Sequence, residues 1–261
     1  MKIYYTIILI FFLMNIKAQI GFDVVYEADY KLVYKSLTVN PVTQEDSFAL
    51  LINEKESYFK NMKKYIEDSL KYAKKINDKT DFRVGMKYAT DFPEYIGTTA
   101  GKIYVTVPIS NKAFKYEEIN NLNWKLSNEF KTVGKYKCQK ATTQKYGRTW
   151  VAWFTEEIPF PFGPYKFNGL PGLITELYDT KDDYHYLLYS FRKRKYFAKS
   201  TNMEAKATPV KKSKIFDYQR KEIADPNSYN KLITDPETLR VLMKKAQKRA
   251  KNYNPIELSI D

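Results

Sequence analysis

A proline- and glycine-dense segment near the middle of the chain most limits how this sequence can fold. Four prolines and three glycines fall within fourteen consecutive positions, residues 159–172. Proline fixes φ and has no N–H donor, while glycine reaches positive φ or admits a close backbone. Such a segment cannot be a central strand. We interpret it as a shaped crossover loop, which is held down by four aromatic side chains: Phe160, Phe162, Tyr165 and Phe167.

Much of the rest of the chain alternates as β-strands do. Between Val24 and Tyr34, apolar or aromatic even positions alternate with Glu27, Asp29 and Lys31. This period of two predicts a strand with one buried face. Further strands are predicted at residues 47–52, 102–107, 124–127, 136–143 and 150–154, with a hairpin of 173–178 and 184–191. Residues 192–214 are predicted to be a surface excursion or an irregular strand.

Two segments have helical periodicity instead. In residues 56–76, apolar side chains recur every three or four positions, which is typical of an amphipathic helix. A second helix is predicted after the N-cap Asp235, with Pro236 at its first position and Pro255 ending it. Its apolar stripe consists of Leu239, Leu242, Met243, Ala246 and Ala250. The sequence therefore predicts a mainly β fold, a single curved antiparallel sheet or half-barrel with two peripheral helices.

The N-terminus has the features of a secretory signal peptide. Lys2 precedes an apolar run over residues 3–14, and Ala18 is a suitable last residue before cleavage. The run is shorter than the about 20 residues that a spanning helix needs, which argues against an uncleaved anchor. No later stretch could span a membrane after cleavage. We therefore expect residues 1–18 to be removed, and residues 19–261 to form one exported β domain with a C-terminal helix, periplasmic or secreted.

The chain is basic, with 44 Lys and Arg against 30 Asp and Glu, a net charge of +14. Loss of Lys2 and Lys17 with the signal peptide would lower it to +12. An anionic partner such as lipid phosphate or acidic glycan is one interpretation. The other is the lysine-rich composition typical of AT-rich genomes. Because no arginine-rich helix or nucleic-acid motif is present, we expect no nucleic-acid partner.

Several motifs in one order resemble a known family. The hexapeptide at residues 169–174 spells GLPGLI, and blocks at residues 134–141, 147–155 and 157–159, with Gly163, Pro164 and Phe167, surround it. Over residues 21–191 their order and spacing are similar to those of the GLPGLI family of exported bacterial proteins. The resemblance implies export and a similar fold, but the family carries no activity that could be transferred to this chain.

The hexapeptide itself has two compatible interpretations. Gly169 and Gly172 are expected to serve backbone conformation or close approach, with Pro171 fixing the bend. Three apolar members, Leu170, Leu173 and Ile174, are expected to anchor it in the core. The segment then either forms the rim of a binding cleft or covers an open end of the sheet.

Six residues near this loop are candidates for ligand binding. Trp150 and Trp153 lie three apart on one strand, so they face opposite sides; one is core, and the other could stack on a sugar or line an apolar pocket. Arg148 could clamp an anion, or pair with Glu156 or Glu157 across its hairpin. The predicted ligand-binding residues are Arg148, Trp150, Trp153, Tyr165, Phe167 and Leu170.

The reactive residue types give no catalytic constellation. Cys138 is the single cysteine and His185 the single histidine, so we expect neither a disulfide nor a metal site. A structural Cys138 is the preferred interpretation, although nearby lysines 135, 137 and 140 could activate its thiol. Neither adjacent carboxylate pair, at 156–157 or 182–183, is placed to act across a cleft. No cofactor motif occurs, and catalytic residues cannot be named.

Three functions stay open. The first is non-enzymatic binding of a hydrophobic or lipid-like ligand. The second is an envelope enzyme, hydrolase-like, with a cleft under the GLPGLI loop. The third is an accessory partner of an outer-membrane protein. A large apolar concavity would favour the first, and converging carboxylates with perturbed pKa values would favour the second.

Overall fold

Most of the described chain is built into one β-sheet. The computed structural model describes residues 21–73, 87–109, 112–199, 202–225 and 233–260. The predicted signal peptide, residues 1–18, lies outside these ranges. Within them, twelve strands form one open sheet. The prediction of a mainly β fold with a single curved sheet is therefore confirmed.

The strands follow one another along the chain with connections of very different length. They are β1 (Gly21–Lys35), β2 (Thr43–Ile52), β3 (Glu56–Asn61), β4 (Tyr95–Thr99), β5 (Lys102–Ile109), β6 (Lys112–Ile119), β7 (Lys125–Val133), β8 (Tyr136–Lys145), β9 (Arg148–Thr155), β10 (Leu173–Asp179), β11 (Tyr184–Lys199) and β12 (Thr208–Pro209). Their order in space is β12-β6-β5-β4-β3-β2-β1-β11-β10-β9-β8-β7. The two-residue β12 pairs with β6 in parallel, whereas the pairings of the other strands are antiparallel.

The helices lie between or after strands. They are α1 (Met62–Ala73), α2 (Asn202–Ala205), α3 (Lys212–Ala224) and α4 (Pro236–Lys251). The helix predicted at the C-terminal end is confirmed as α4, and its N-cap Asp235 accepts a hydrogen bond from the Thr238 amide. Helix α3 was not predicted. Within the described ranges, no helix combines the length and apolar character that crossing a bilayer requires.

The sheet has two differently covered faces. We call the face that carries Tyr30 and Leu50 the inner face; it holds the large hydrophobic cluster, to which the loop at residues 156–172 and helix α3 also contribute. On the outer face, Ala49 and Leu51 pack beneath α1. A second outer cluster surrounds Cys138. Strand β2 is buried on both faces over residues 48–52, so its sequence there is apolar at odd and even positions alike.

The sheet curls so that its two ends approach one another across the inner face. Tyr146, in the turn after β8, donates a hydrogen bond to Glu118 of β6 over 2.9 Å, although β6 and β8 lie near opposite ends of the strand order. Trp124 Nε1 and Asn120 Nδ2 both donate to Asn168 of the loop, at 2.8 and 2.6 Å. Loop 156–172 therefore fills the space between the two ends.

The predicted helix over residues 56–76 is wrong in its first six residues. Residues 56–61 form β3, which pairs with both β2 and β4, and α1 begins only at Met62. Phe59 packs on the inner face and Tyr58 against the outer cluster. Because both faces of β3 are buried, its apolar residues occur at spacings that also fit a helix. Asn61 accepts from the Lys63 amide at 2.9 Å and caps the helix. Residues 74–76 lie outside the described ranges.

Of the two alternatives for residues 192–214, the irregular strand is confirmed for residues 192–199, which continue β11 beside β1 past a register shift. A further expectation is corrected on the outer face. Glu27 and Asp29 are buried rather than solvent-facing, with exposures of 0% and 3%. Arg192 pairs with both carboxylates and Arg194 pairs with Glu27, which compensates the cost of burying them. These arginines lie more than 160 residues away, so the pattern of β1 could not reveal them.

Candidate functional site

The loop that joins β9 to β10 is fixed by backbone geometry and by its apolar side chains. Gly169 has a φ of +86°, where only glycine is unstrained. Gly172 has no positive φ; a Cβ there would lie 1.9 Å from the Thr155 carbonyl oxygen, so this glycine permits close approach. Phe167 lies 4.6 Å from Trp150 between ring centroids. The buried apolar residues of the loop and hexapeptide are Ile158, Phe162, Tyr165, Phe167, Leu170, Leu173 and Ile174.

This apolar loop also places a lysine inside the protein. The side chain of Lys166 has 0% exposure, and its ammonium donates to Glu118 Oε1 at 2.7 Å and Glu257 Oε1 at 2.5 Å. It also donates to the hydroxyl of Tyr116 at 2.9 Å. Lys212, the first residue of α3, pairs with the same two carboxylates at 2.9 and 2.6 Å. We call Glu118, Lys166, Lys212 and Glu257 the buried ion cluster.

The C-terminal segment brings Glu257 into this cluster. Arg148 of β9 holds that segment by donating to Asn254 Oδ1, Pro255 O and Ile256 O, at 2.6, 2.7 and 3.1 Å. Its guanidinium also pairs with Asp179 at 2.9 Å. Arg148 is therefore a positioning residue that joins the β10–β11 hairpin to the chain end.

Two tyrosines complete the cluster in an uncommon backbone conformation. Tyr165 donates a short hydrogen bond to Glu257, and Tyr146 donates to Glu118 at 2.9 Å. Their φ values are +59° and +57°. Bulky residues rarely adopt this region, where the conformation costs on the order of 1–3 kcal/mol. The surrounding contacts therefore hold both tyrosines against a local cost, as is common at functional sites.

The electrostatics of the cluster depend on its charge pairing. Burial alone would raise the pKa of Glu118, but the ammonium groups of Lys166 and Lys212 hold its pKa below the ordinary value. Burial raises the pKa of Tyr165 far above its ordinary value, and the adjacent Glu257 carboxylate adds to this effect. Glu118 is therefore ionised and Tyr165 is a neutral hydrogen-bond donor at neutral pH.

A cavity of about 680 Å³ lies beside the cluster, between the inner face and helices α3 and α4. Its volume is in the range of small-molecule sites. Tyr165 and Glu257 form part of its wall. Its apolar wall comes from β5, residue 92 and α3, and consists of Val107, Ile109, Phe92, Ile215, Phe216 and Ile223. The charged side chains at its exposed rim are Asp91, Arg220, Glu222, Lys245 and Arg249.

Glu94 is the titratable group that stands out in this cavity. It precedes β4, and part of its surface remains accessible in the cavity that it lines. Burial raises the pKa of Glu94 to about 7, against the lowering effects of its hydrogen bonds and of Lys166, while Glu257 adds a smaller raising effect. A carboxyl in such surroundings is a candidate functional group because its charge changes near neutral pH.

Of the six residues predicted to bind ligand, Tyr165 lines the cavity. Trp150, Phe167 and Leu170 are buried in the inner cluster, with exposures of 0%, 1% and 1%. Trp153 lies on the outer face, where the ammonium of Lys131 is 4.5 Å from its ring centroid. The opposite orientation of the two tryptophans is confirmed, and so is the burial of the hexapeptide's apolar residues.

Arg148 pairs with partners other than those predicted. Its guanidinium bonds Asp179 and Asp183, not Glu156 or Glu157. The two aspartates flank the β10–β11 turn, which Asp179 closes by accepting from the Asp183 amide at 2.8 Å. The sheet order explains the difference, because β10 lies directly beside β9.

Cys138 and His185 are not joined. The Cys138 thiol is buried against Thr175, with 3.1 Å between sulfur and oxygen. Burial raises its pKa, and nearby lysines do not activate it as the alternative interpretation required. His185 instead contacts Glu176 and Asp182, at 3.0 and 3.1 Å. In the part of the chain that the structure describes, His, Cys, Asp and Glu side chains form no group of three suited to a metal ion.

Sequence reasoning missed the cavity and the buried ion cluster. Glu94, Glu118 and Glu257 lie in three separate parts of the chain, so no local spacing joins them. One signal was available: Lys166 is the only charged residue in the aromatic segment 158–169 and so sits where burial was already expected. A buried lysine needs carboxylate partners, and this would have prompted a search for them.

Comparison with known proteins supports the fold and gives no activity. A family model described as "Protein of unknown function (Porph_ging)" matches residues 145–176, which include the GLPGLI hexapeptide. No curated protein sequence matches the chain.

Solved structures of PNGF-II in the C2 and P21 space groups superpose with a TM-score of 0.51, at 14% and 15% identity. Both superpositions cover 74% of this chain, which spans only 32% of the PNGF-II chain. This similarity concerns the fold alone. A LolA superfamily protein from Nitrosomonas europaea matches at 8% identity with a TM-score of 0.25, over 72% of this chain and 90% of its own.

Proposed function

We propose that this chain is an exported protein that binds an amphipathic, lipid-like molecule in the cavity between the inner face and helices α3 and α4. The observation that carries the proposal is the cavity itself, about 680 Å³ with an apolar wall and a charged rim. An apolar tail would gain about 25 cal/mol for each Å² removed from water. The rim charges suit a polar group that stays near solvent.

The two helices over the cavity are suited to ligand entry. Among the described residues of α3, Ile215 is the only buried one, and α4 has no buried residue. The apolar stripe of α4 is therefore only partly covered by its packing against α3. Little buried apolar surface holds α4 in place, so this helix can separate from the sheet at low cost, whereas Lys212 ties the start of α3 to the buried ion cluster.

Native mass spectrometry of protein purified from its own envelope tests the proposal, and binding of the apolar dye 1-anilinonaphthalene-8-sulfonate provides a second measurement. We expect a co-purifying amphipathic molecule and saturable dye binding. Ala246→Phe should abolish both, because Ala246 lines the cavity. Gln247→Phe, one residue further on the exposed side of α4, is the matched control. Equal binding by both variants would contradict the assignment to this cavity.

Export and membership of the GLPGLI family are part of the same proposal. They rest on the charged and apolar N-terminus with Ala18, and on the ordered motifs around residues 169–174. The periplasm or the cell exterior is the expected location, and an outer-membrane protein is a compatible partner. N-terminal sequencing of the native protein should begin at Gln19. A native chain that retains Met1 would contradict export by cleavage.

The enzymatic alternative has one observation in its favour, the raised pKa of Glu94. A two-carboxylate mechanism needs a second acid free to act. Glu118 and Glu257 are each bound by two lysines, so they are not free. Beside the hexapeptide, the described residues that line the hollow at Gly169 include one carboxylate, Glu54. Binding is therefore better supported than catalysis.

A further inference from the structure

The buried charges around the cavity do not balance. Among the residues that the structure describes, Glu118 and Glu257 are neutralised by Lys166 and Lys212. Glu94 lines the same cavity as Glu257 and interacts electrostatically with it and with Lys166. In the cavity wall and the ion cluster, three carboxylates therefore share two ammonium groups, while the bases Arg220, Lys245 and Arg249 lie at the exposed rim.

The protein already shows how this region holds ammonium groups. The Lys166 ammonium is bound by carboxylates while lying 5.1, 5.2 and 5.3 Å from the ring centroids of Tyr116, Tyr146 and Tyr165. Lys212 lies 4.8 Å from the Tyr146 ring in the same way. Carboxylates and aromatic rings together stabilise a desolvated cation.

The walls of the cavity repeat that chemistry. Five tyrosines line it: Tyr34, Tyr116, Tyr165, Tyr184 and Tyr253. The hydroxyls of Tyr34 and Tyr184 are engaged with Asp91 at 3.2 Å and with the Asn254 carbonyl at 2.5 Å. A ligand would therefore meet aromatic surface together with the Glu94 carboxylate.

We propose that the amphipathic ligand is an organic cation, whose ammonium group pairs with Glu94 while its apolar chain lies along the wall formed by β5 and α3. This inference rests on the proposed function, because it names the chemical class of the ligand for the same cavity. A ligand ammonium replaces the proton that Glu94 otherwise takes up. The charged groups that face this position are Glu257 in the wall and Asp91, Arg220, Glu222, Lys245 and Arg249 at the rim, and Lys166 interacts with Glu94 electrostatically from the ion cluster.

Three eight-carbon probes that differ only in their head group test this inference by isothermal titration calorimetry: octylammonium, octanol and octanoate. At a pH of about 8, we expect octylammonium to bind about tenfold more tightly than octanol, equivalent to roughly 1.4 kcal/mol. Octanoate should bind most weakly. Lowering the pH to about 5.5 should reduce the advantage of octylammonium, since Glu94 then holds a proton.

Two variants identify the carboxylate. Glu94→Gln should weaken octylammonium binding about tenfold and leave octanol binding unchanged, because it removes the charge and keeps the shape. Glutamine also resembles the protonated acid, so the fold should be retained. Glu117→Gln is the matched control, because it neutralises an exposed carboxylate on β6 that does not line the cavity. It should leave both probes unaffected.

The outcomes separate the two proposals. If octanol binds as tightly as octylammonium, or if Glu94→Gln still prefers octylammonium, the proposed cationic ligand is contradicted. The proposed lipid-binding cavity is still supported in both cases. Tightest binding by octanoate would also contradict the proposed cationic ligand, and would indicate that the basic residues at the rim bind the head group. The pH comparison uses the unmodified protein, so it decides the matter even if a variant misfolds. Failure of all three probes to bind would contradict the proposed function itself.

Discussion

Glu94 should make the stability of this protein depend on pH near neutrality. Its pKa is about 7 in the folded protein against 4.5 ordinarily, so the folded state binds more protons between these values. The stabilisation is complete below about 4.5, falls as the pH rises through this window, and is lost above about 7. Relative to Glu94→Gln, the parent should lose on the order of 2 kcal/mol of unfolding free energy between pH 5 and 8.

Urea denaturation of both proteins at the two pH values measures this difference directly. Because part of Glu94 remains accessible to solvent, the expected loss of unfolding free energy is smaller than its full pKa shift would give. Comparison with the variant cancels the titration of other groups. An identical pH dependence in parent and variant would show that Glu94 keeps its ordinary acidity.

Replacement of the buried Lys166 by an uncharged residue should be among the most destabilising substitutions in the chain. Lys166→Met leaves Glu118 and Glu257 with one lysine instead of two, and we expect a loss of about 3–5 kcal/mol in unfolding free energy. Lys102→Met is the matched control: Lys102 pairs with Glu117 at 2.8 Å, but both side chains are more than half exposed. Because solvent screens this exposed pair, its loss should leave the unfolding free energy almost unchanged. Thermal or urea denaturation measures both variants. An equal loss of unfolding free energy in Lys166→Met and Lys102→Met would show that burial does not make the Lys166 ion pairs more important than an exposed pair.

Sequence reasoning succeeded for single residues whose surroundings are local. The opposite faces of Trp150 and Trp153 follow from strand geometry, and the burial of Cys138 follows from the usual state of a lone cysteine. The partners of Lys166 and Arg148 could not be found in this way. Lys166 meets Glu257 across 91 positions, and such pairings are decided by how the sheet curls.

At the scale of elements, two glycines of the GLPGLI hexapeptide, compared with Gly101 in the turn between β4 and β5, offer a test. Gly172→Ala should destabilise by about 3 kcal/mol or more, because its Cβ would meet the Thr155 backbone. Gly169→Ala has open space but a φ of +86°, so it should lose about 1–2 kcal/mol. Gly101→Ala has neither constraint and should be nearly neutral. Thermal melts give this order; a stable Gly172→Ala would contradict the scaffold role of the hexapeptide.

Elements were predicted where the local sequence pattern is clear and missed where that pattern is ambiguous or weak. The alternation in residues 24–34 and the capped start of α4 gave clear local signals, and both were confirmed. Strand β3 is buried on both faces, so its aromatic residues matched a helical spacing. Helix α3 has one buried residue, Ile215, and therefore lacks the apolar stripe that identifies a helix.

At the scale of the whole molecule, the curled sheet explains why the cavity escaped prediction. A sequence gives the alternation of each strand, but not how far twelve strands bend. The bend brings β6 close to the turn after β8, and the C-terminal segment then closes the space between them. Fold class follows from local patterns, whereas the cavity depends on the summed curvature of the sheet.

Stability should be distributed unevenly across this architecture. β1 is paired on both sides, by β2 and β11, and contains residues with no exposed surface such as Tyr30 and Leu32, whereas α4 has no buried residue. Hydrogen exchange follows local opening, so we expect α4 amides to exchange well before those of β1. Octylammonium should slow exchange in α3 and α4 selectively, because it would bridge both helices to the sheet. Mass spectrometry of exchanged peptides measures both effects. Protection of α4 equal to that of β1 would mean that the helices over the cavity open only when the whole sheet unfolds.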